Sequence, residues 1–295
     1  MLNSEPIQHK SEISLEAAYA ECERVARHYE NFPVGSMLVP KKMRKHFYAL
    51  YSFMRTADDF ADTRGSTEGI KLLEDWRYQL QQVLSSERAE HPIFIALRNT
   101  ISECHLAGEP LLLLLEAFEF DARGKVQFDT FDDLRWYTSR SADPVGELVL
   151  ALFSYHDEKL IRLSNEICTA LQLLNFIQDI REDLANNRYY YPKDDWLLFG
   201  LDQTKQIESK PLLLQRLNLL SLFELERVES LLERGAPLIN QVSGRLRLEL
   251  RAIVKSARKL AKKIRKLEGN TYLTRPTLSK GERLVVLLQS VLWIG

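Results

Sequence analysis

The sequence predicts an all-α chain, on three observations. Apolar residues recur at spacings of three and four almost throughout, and strand-like alternation is nearly absent. Breakers punctuate these stretches at Pro33, Gly35 and Pro40, then Pro92, Gly108 and Pro110, Pro192, Gly200, Pro237, Gly269 and Pro276. No low-complexity run or long linker separates one part from another. With 295 residues, 45% of them hydrophobic, the chain is long enough for a large core, and one domain spanning 1–295 is expected.

Taken in order, the periodic stretches predict helices at 14–30, 41–63, 68–87, 91–107, 110–122, 131–153, 157–186, 209–235, 240–268 and 281–293, with ends uncertain by about 2 to 4 residues. Within 131–153, Pro144 lacks a backbone donor and Gly146 lets another group approach closely, so a break or kink is expected there. The stretch FPVGS at 32–36 is read either as a simple turn between helices or as a flap over a ligand.

Forty basic residues against forty-one acidic ones leave a formal charge of -1, so nothing in the overall balance points to nucleic acid, none is expected as a partner, and any charge-driven function must be local. Cys22, Cys104 and Cys168 are odd in number and far apart, as reduced cytosolic thiols are. The polar N-terminus lacks the apolar stretch of a secretory signal, so a cytoplasmic protein is expected. The six histidines show no metal-ligand spacing.

Local charge is more telling. In YSFMRTADDFADTRG at 51–65, Asp58 and Asp62 lie one helical turn apart with Asp59 beside them, next to an apolar stripe of Phe47, Leu50, Tyr51, Met54 and Ala57. In LQLLNFIQDIREDLANNRYYYP at 171–192, Gln172, Asn175, Asp179 and Asp183 share one face of an otherwise apolar helix. An i,i+4 pair of like charges costs only about 0.2–0.5 kcal/mol, so one such cluster is usually a solvated helix end. Two clusters, each with an arginine (Arg55 and Arg188), favour a site. Hard carboxylate and amide oxygens suit Mg²⁺, which takes one or two carboxylates per ion and completes its octahedron with water and phosphate oxygens. Arginine's planar fork suits those same phosphate oxygens.

On these residues the chain resembles the squalene and phytoene synthase family, the head-to-head branch of the all-helical isoprenoid synthases. FMRTADDFAD is similar to that family's first aspartate motif and QLLNFIQDIREDLANNRYYYP to its second, and the likeness runs from about residue 27 to about 200. The resemblance implies the isoprenoid synthase helical bundle with a central cavity. It implies Asp58, Asp62, Asp179 and Asp183 as Mg²⁺-diphosphate ligands with Asn175, and Arg55 as a phosphate contact. Tyr51, Gln172, Arg188 and Ser36 are expected near the substrate, and Tyr190 at the reacting centre.

HYENFPVGS (28–36), SADPVGELVLALF (141–153) and ICTALQLLNFIQD (167–179) resemble the hydroxysqualene synthase branch, which adds water to presqualene diphosphate. Gln178, where squalene and phytoene synthases carry arginine, agrees with that branch. Asp143, where the family leads one to expect asparagine, departs from it. The implied reaction is loss of diphosphate into a dry apolar cavity, with Asp143 or Tyr190 holding the water; alternatives are condensation of two prenyl diphosphates to presqualene diphosphate, squalene or phytoene, and non-catalytic isoprenoid binding. A presqualene diphosphate synthase is the expected supplier of substrate.

Residues 245–269 hold ten Lys or Arg against two Glu with a regular apolar face. A solvated face over the core is the first reading of such a helix, and peripheral contact with the inner membrane face the second.

Overall fold

The computed structural model describes residues 13–28, 39–63, 67–124, 126–202, 210–279, 281–282 and 285–286. Helix α1 (Leu15–His28) is followed, after a 3₁₀ turn at Lys41–Met43, by α2 (Arg44–Asp62), α3 (Thr67–Leu84), α4 (Pro92–Cys104) and α5 (Glu109–Ala122). Then come α6 (Phe131–Ser141), α7 (Asp143–Leu152), the long α8 (Glu158–Ala185), the short α9 (Lys193–Leu198), α10 (Pro211–Gly235), the single turn α11 (Leu238–Gln241) and α12 (Gly244–Lys266). The all-α expectation holds, and the expected helices at 41–63, 68–87, 110–122, 157–186 and 209–235 are reproduced to within a few residues. The expected turn or flap at 32–36, with Ser36, and most of the expected helix 281–293 lie outside the described residues.

Local chemistry sets the helix starts. Pro92, Pro110 and Pro211 each occupy a first-turn position, where a missing N–H costs nothing. Asp157 caps α8 by accepting from Lys159 N at 2.7 Å, and Thr130 and Asp133 form a reciprocal capping box on α6.

The expected helix 131–153 is two helices. It breaks at Ala142 (φ -123, ψ -50), just ahead of Pro144. Proline cannot donate to the preceding turn, and the chain restarts with Pro144 in the first turn of α7. A Cβ on Gly146 would collide with Ser164 Oγ and Cys168 Sγ, so the close neighbour the glycine admits is α8.

Burial follows the 3.6 period. In α2, Ala49, Leu50, Phe53, Ala57 and Ala61 face a core shared with Trp76, Phe94, Leu97 and Leu111. In α8, Leu173, Leu174, Ile177 and Ile180 face a second core with Tyr191, Trp196, Leu217, Leu220 and Val228. The apolar face of α12, including Leu246, Val254, Ala257, Leu260 and Ile264, is buried too, which answers the first reading of its sequence. Among the described residues no helix is long and apolar enough to cross a membrane. All three cysteines are free, and burial pushes the Cys22 and Cys168 thiols up to about 12.

Candidate active site

A cavity of about 400 Å³ lies between α2, α5, α6 and α8, within the size range of small-molecule sites. Its walls are Asp58 and Asp62 from α2, Ala117, Phe118 and Asp121 from α5, Tyr137 and Ser141 from α6, Gln172 from α8, and Arg188 and Tyr190 from the loop after α8. The C-terminal part of α2 and the middle of α8 thus face each other across one space. A larger open depression, about 990 Å³, lies beside the start of α1 and α3–α4, but it holds neither aspartate pair.

Tyr190 is placed by backbone pairing of two loops. Tyr189 N donates to Val126 O at 2.9 Å, and Lys193 N to Phe128 O at 2.9 Å. This clamps 126–129 against 189–194 and lays the Tyr190 ring flat on Phe176, centroids 3.7 Å apart. Tyr137 stands beside it, centroids 6.0 Å apart, and donates its phenol O–H to Asp121 Oδ2 at 2.8 Å. Burial, then the Asp121 charge, raises the Tyr137 phenol well above its ordinary range, so it stays a donor. The buried Ser141 Oγ has no hydrogen-bond partner among the described residues, which leaves a polar position open at the cavity wall.

The acidic residues are paired with arginines. Arg55 donates to Asp58 at 2.7 Å and also to Asp59, all on α2. Asp183 is buried, and Arg188 Nε lies 2.9 Å from its Oδ1. That contact is a charge pair rather than an aligned hydrogen bond, since the Nε–H has no acceptor in line. Asp179 pairs with Arg275, which arrives from 96 residues further on.

Of the residues expected from sequence, Asp58, Asp62, Gln172, Arg188 and Tyr190 share the cavity, Asp183 joins it through Arg188, and Arg55 joins through Asp58. Asp179, exposed Asn175 and half-buried Tyr51 are not among the lining residues. Asp143, the alternative to Tyr190 for holding water, is buried, accepts from Thr169 Oγ1 at 2.7 Å and is not among the lining residues, whereas Ser141 two residues earlier is. Asp121, Tyr137 and Ser141 were not found from sequence. Asp121 looks like its neighbours Glu116 and Glu119, yet those two are ion-paired to Arg140 and Arg77; only packing separates the three roles.

Among the described residues, no three His, Cys, Asp or Glu side chains are grouped so as to hold a metal ion by themselves. The donor set still fits Mg²⁺, which keeps several waters and needs only one or two carboxylates when phosphate oxygens supply the rest.

Comparison with known proteins identifies the family. The squalene/phytoene synthase model matches residues 25–282. A hydroxysqualene synthase of Rhodopseudomonas palustris is 32% identical over 230 residues, 76% of this chain and 75% of that protein. A presqualene diphosphate synthase of Zymomonas mobilis is 30% identical over 166 residues, 56% of each chain. The crystal structure of squalene synthase HpnC from Alicyclobacillus acidocaldarius superimposes with a TM-score of 0.79 at 36% identity, covering 87% of this chain and 96% of that one. A match over most of the chain, on a helical fold whose cavity gathers the first aspartate pair with the arginine and tyrosine that follow the second, has one meaning: the chain belongs to the squalene/phytoene synthase family.

Proposed function

We propose that this chain, as one domain, converts presqualene diphosphate and water to hydroxysqualene and diphosphate, a step toward hopanoids. The observation that carries the reading is the convergence of Asp58 and Asp62 with Gln172, Arg188 and Tyr190 on one cavity. Gln178 and the hydroxysqualene synthase relative favour the water-adding reaction; the presqualene diphosphate synthase relative favours, as a second reading, condensation of two prenyl diphosphates.

Asp58, Asp62, Asp179 and Asp183, with Asn175, would hold Mg²⁺. When bound, Mg²⁺ neutralises the diphosphate and eases its departure. Arg188 lines the cavity and Arg55 is paired with Asp58, which lines it too; each guanidinium can turn from its aspartate to a diphosphate oxygen. The C–O bond to diphosphate breaks with its electron pair on the leaving group. The apolar wall of Ala117 and Phe118 and the stacked Phe176–Tyr190 pair limit bulk water, and an aromatic face stabilises the cation by about 0.5–2 kcal/mol. Tyr190, Ser141 and the Tyr137–Asp121 pair hold one water. The three-membered ring of the cation opens, the water oxygen bonds the carbon left cationic, and the water's proton passes to the departing diphosphate. The enzyme works in the cytoplasm, with peripheral contact at the membrane where its lipid substrate is handed over by a presqualene diphosphate synthase.

The test is incubation of the purified protein with presqualene diphosphate and Mg²⁺, without NADPH, read by mass spectrometry. A C30 alcohol that disappears in Asp58→Ala supports the proposal. Unreacted presqualene diphosphate with consumption of farnesyl or geranylgeranyl diphosphate assigns the chain to condensation. No turnover of any of them assigns it to non-catalytic isoprenoid binding.

A further inference from the structure

The segment after α12 crosses the C-terminal turns of α8 as a strap. It leaves α12 through Gly269 (φ +76), where a Cβ would collide with the backbone oxygen of Asn218 in α10, so glycine alone fits the turn. Thr271, Tyr272 and Pro276 are buried, and Leu273, Thr274 and Arg275 are exposed. The far end is fastened as well. Lys263 Nζ donates to Thr277 O at 2.7 Å and pairs with Glu282 at 2.7 Å, while Ser279 N donates to Glu282 Oε2 at 2.8 Å. Between these anchors, three contacts reach α8. The Arg181 guanidinium lies 5.8 Å from the Tyr272 ring centre, Gln178 Nε2 donates to Pro276 O at 2.7 Å, and Arg275 pairs with Asp179.

Gln178 and Asp179 are adjacent, and so are Pro276 and Arg275, so the two bonds are neighbouring rungs between the same two segments. Pro276 brings no N–H, and its carbonyl takes the donor that Gln178 supplies. An arginine at 178 would place a second cation beside Arg275, which already answers the nearby Asp179 and Glu182 charges. The glutamine supplies the same hydrogen bond without that repulsion.

We infer that this strap is a positioning element of the second acidic pair: Gln178 fixes its seat on α8, and Arg275 holds Asp179 in competition with an incoming divalent cation. A carboxylate paired with a guanidinium is a poorer ligand for a free ion than one facing water, because the ion must first displace the arginine. An anion that enters together with the ion lowers that cost, since it gives the displaced guanidinium another partner. The strap therefore makes ion and diphosphate enter together and keeps the second pair from holding a cation alone. This inference rests on the reading of the aspartates as a metal-diphosphate site.

The experiment measures Mn²⁺ binding by electron paramagnetic resonance on the full chain, with and without inorganic diphosphate. Wild type is expected to bind Mn²⁺ more tightly when diphosphate is present. Arg275→Gln is expected to tighten binding of Mn²⁺ alone roughly threefold, the scale of a half-exposed ion pair, and to shrink the gain from diphosphate; Arg275→Lys stays near wild type. Gln178→Met, which keeps the length and loses the donor, is expected to speed hydrogen exchange at amides 271–279 and to tighten Mn²⁺ about twofold. If Asp179→Asn weakens Mn²⁺ but Arg275→Gln leaves the Mn²⁺-only affinity unchanged, the competition is overturned and the metal reading stands. Unchanged exchange in Gln178→Met overturns the role of Gln178. If wild type binds no Mn²⁺ even with diphosphate, the metal reading itself falls, and the strap inference falls with it.

Discussion

The ends of α2 and α8 carry similar aspartate pairs, yet they compensate their charge differently. On α2, Arg55 serves Asp58 and Asp59 from within the same helix, at i,i+3 and i,i+4. On α8, Asp183 depends on Arg188 in the loop beyond the helix, and Asp179 on Arg275, 96 residues away. The side chains of Asp58 and Asp59 are 41% and 36% exposed, whereas that of Asp183 is only 7%. Local compensation is weak and replaceable, because water does much of the work. Compensation of a buried carboxylate is costly to lose, because water reaches it poorly. The two halves of the site thus differ in how firmly they are tied to the fold.

The largest expected effect comes from breaking the α8 side. Arg188→Met removes the guanidinium that faces the buried Asp183 carboxylate, and a loss of about 3 kcal/mol in unfolding free energy is expected. Denaturant titration checks it. A loss under ~1 kcal/mol means that Asp183 finds water or another cation, and the contrast between the two halves dissolves.

A buried acid without a close ion pair among the described residues sharpens the contrast. Asp143 is held by the Thr169 hydroxyl, and burial pushes its carboxyl up to about 6, against the opposing effects of Thr169 and the Arg135 charge. A folded value above the unfolded one means that the fold favours the neutral acid. The stability this contributes is present below about pH 4 and is lost as the pH rises through about 6. Asp143→Asn keeps an oxygen that accepts from Thr169 and cannot ionise. It is expected to stabilise the protein by on the order of 2 kcal/mol at pH 8 and by nearly nothing at pH 4. Melting temperatures of both proteins across that window test the sign; a gain of equal size at both pH values rejects it.

The smallest change in stability is expected on α2. Arg55→Gln removes a half-exposed pair of contacts and should cost no more than about 1 kcal/mol, while relieving no buried charge. If Arg55 also meets the diphosphate, its loss raises KM for presqualene diphosphate far more than it lowers the melting temperature. Equal, small changes in both quantities confine Arg55 to its own helix.

These residues also separate what could be read from the chain alone. Asp58, Arg55 and Asp62 interact over three or four positions, so helical periodicity shows their relation directly. Arg188 was legible because it follows Asp183 closely. Arg275 was not, since no local spacing links it to Asp179. Asp121 was indistinguishable from Glu116 and Glu119 until Arg140 and Arg77 were seen to take the latter two. Pro144 announced a break in 131–153, although the turn falls at Ala142, and that detail places Ser141 at the cavity. The short helix Lys193–Leu198, too brief to show a period, escaped prediction.

By itself, then, the sequence determined the helices, their buried faces and the two acidic helix ends, because each depends on interactions between residues within a turn or two of one another. Tertiary structure alone decided that Asp121 lines the cavity, that Arg275 neutralises Asp179 and that the Tyr190 ring lies flat against Phe176. Those choices turn on contacts between segments tens of residues apart, brought together only when the apolar faces are buried, and chain spacing carries no record of them.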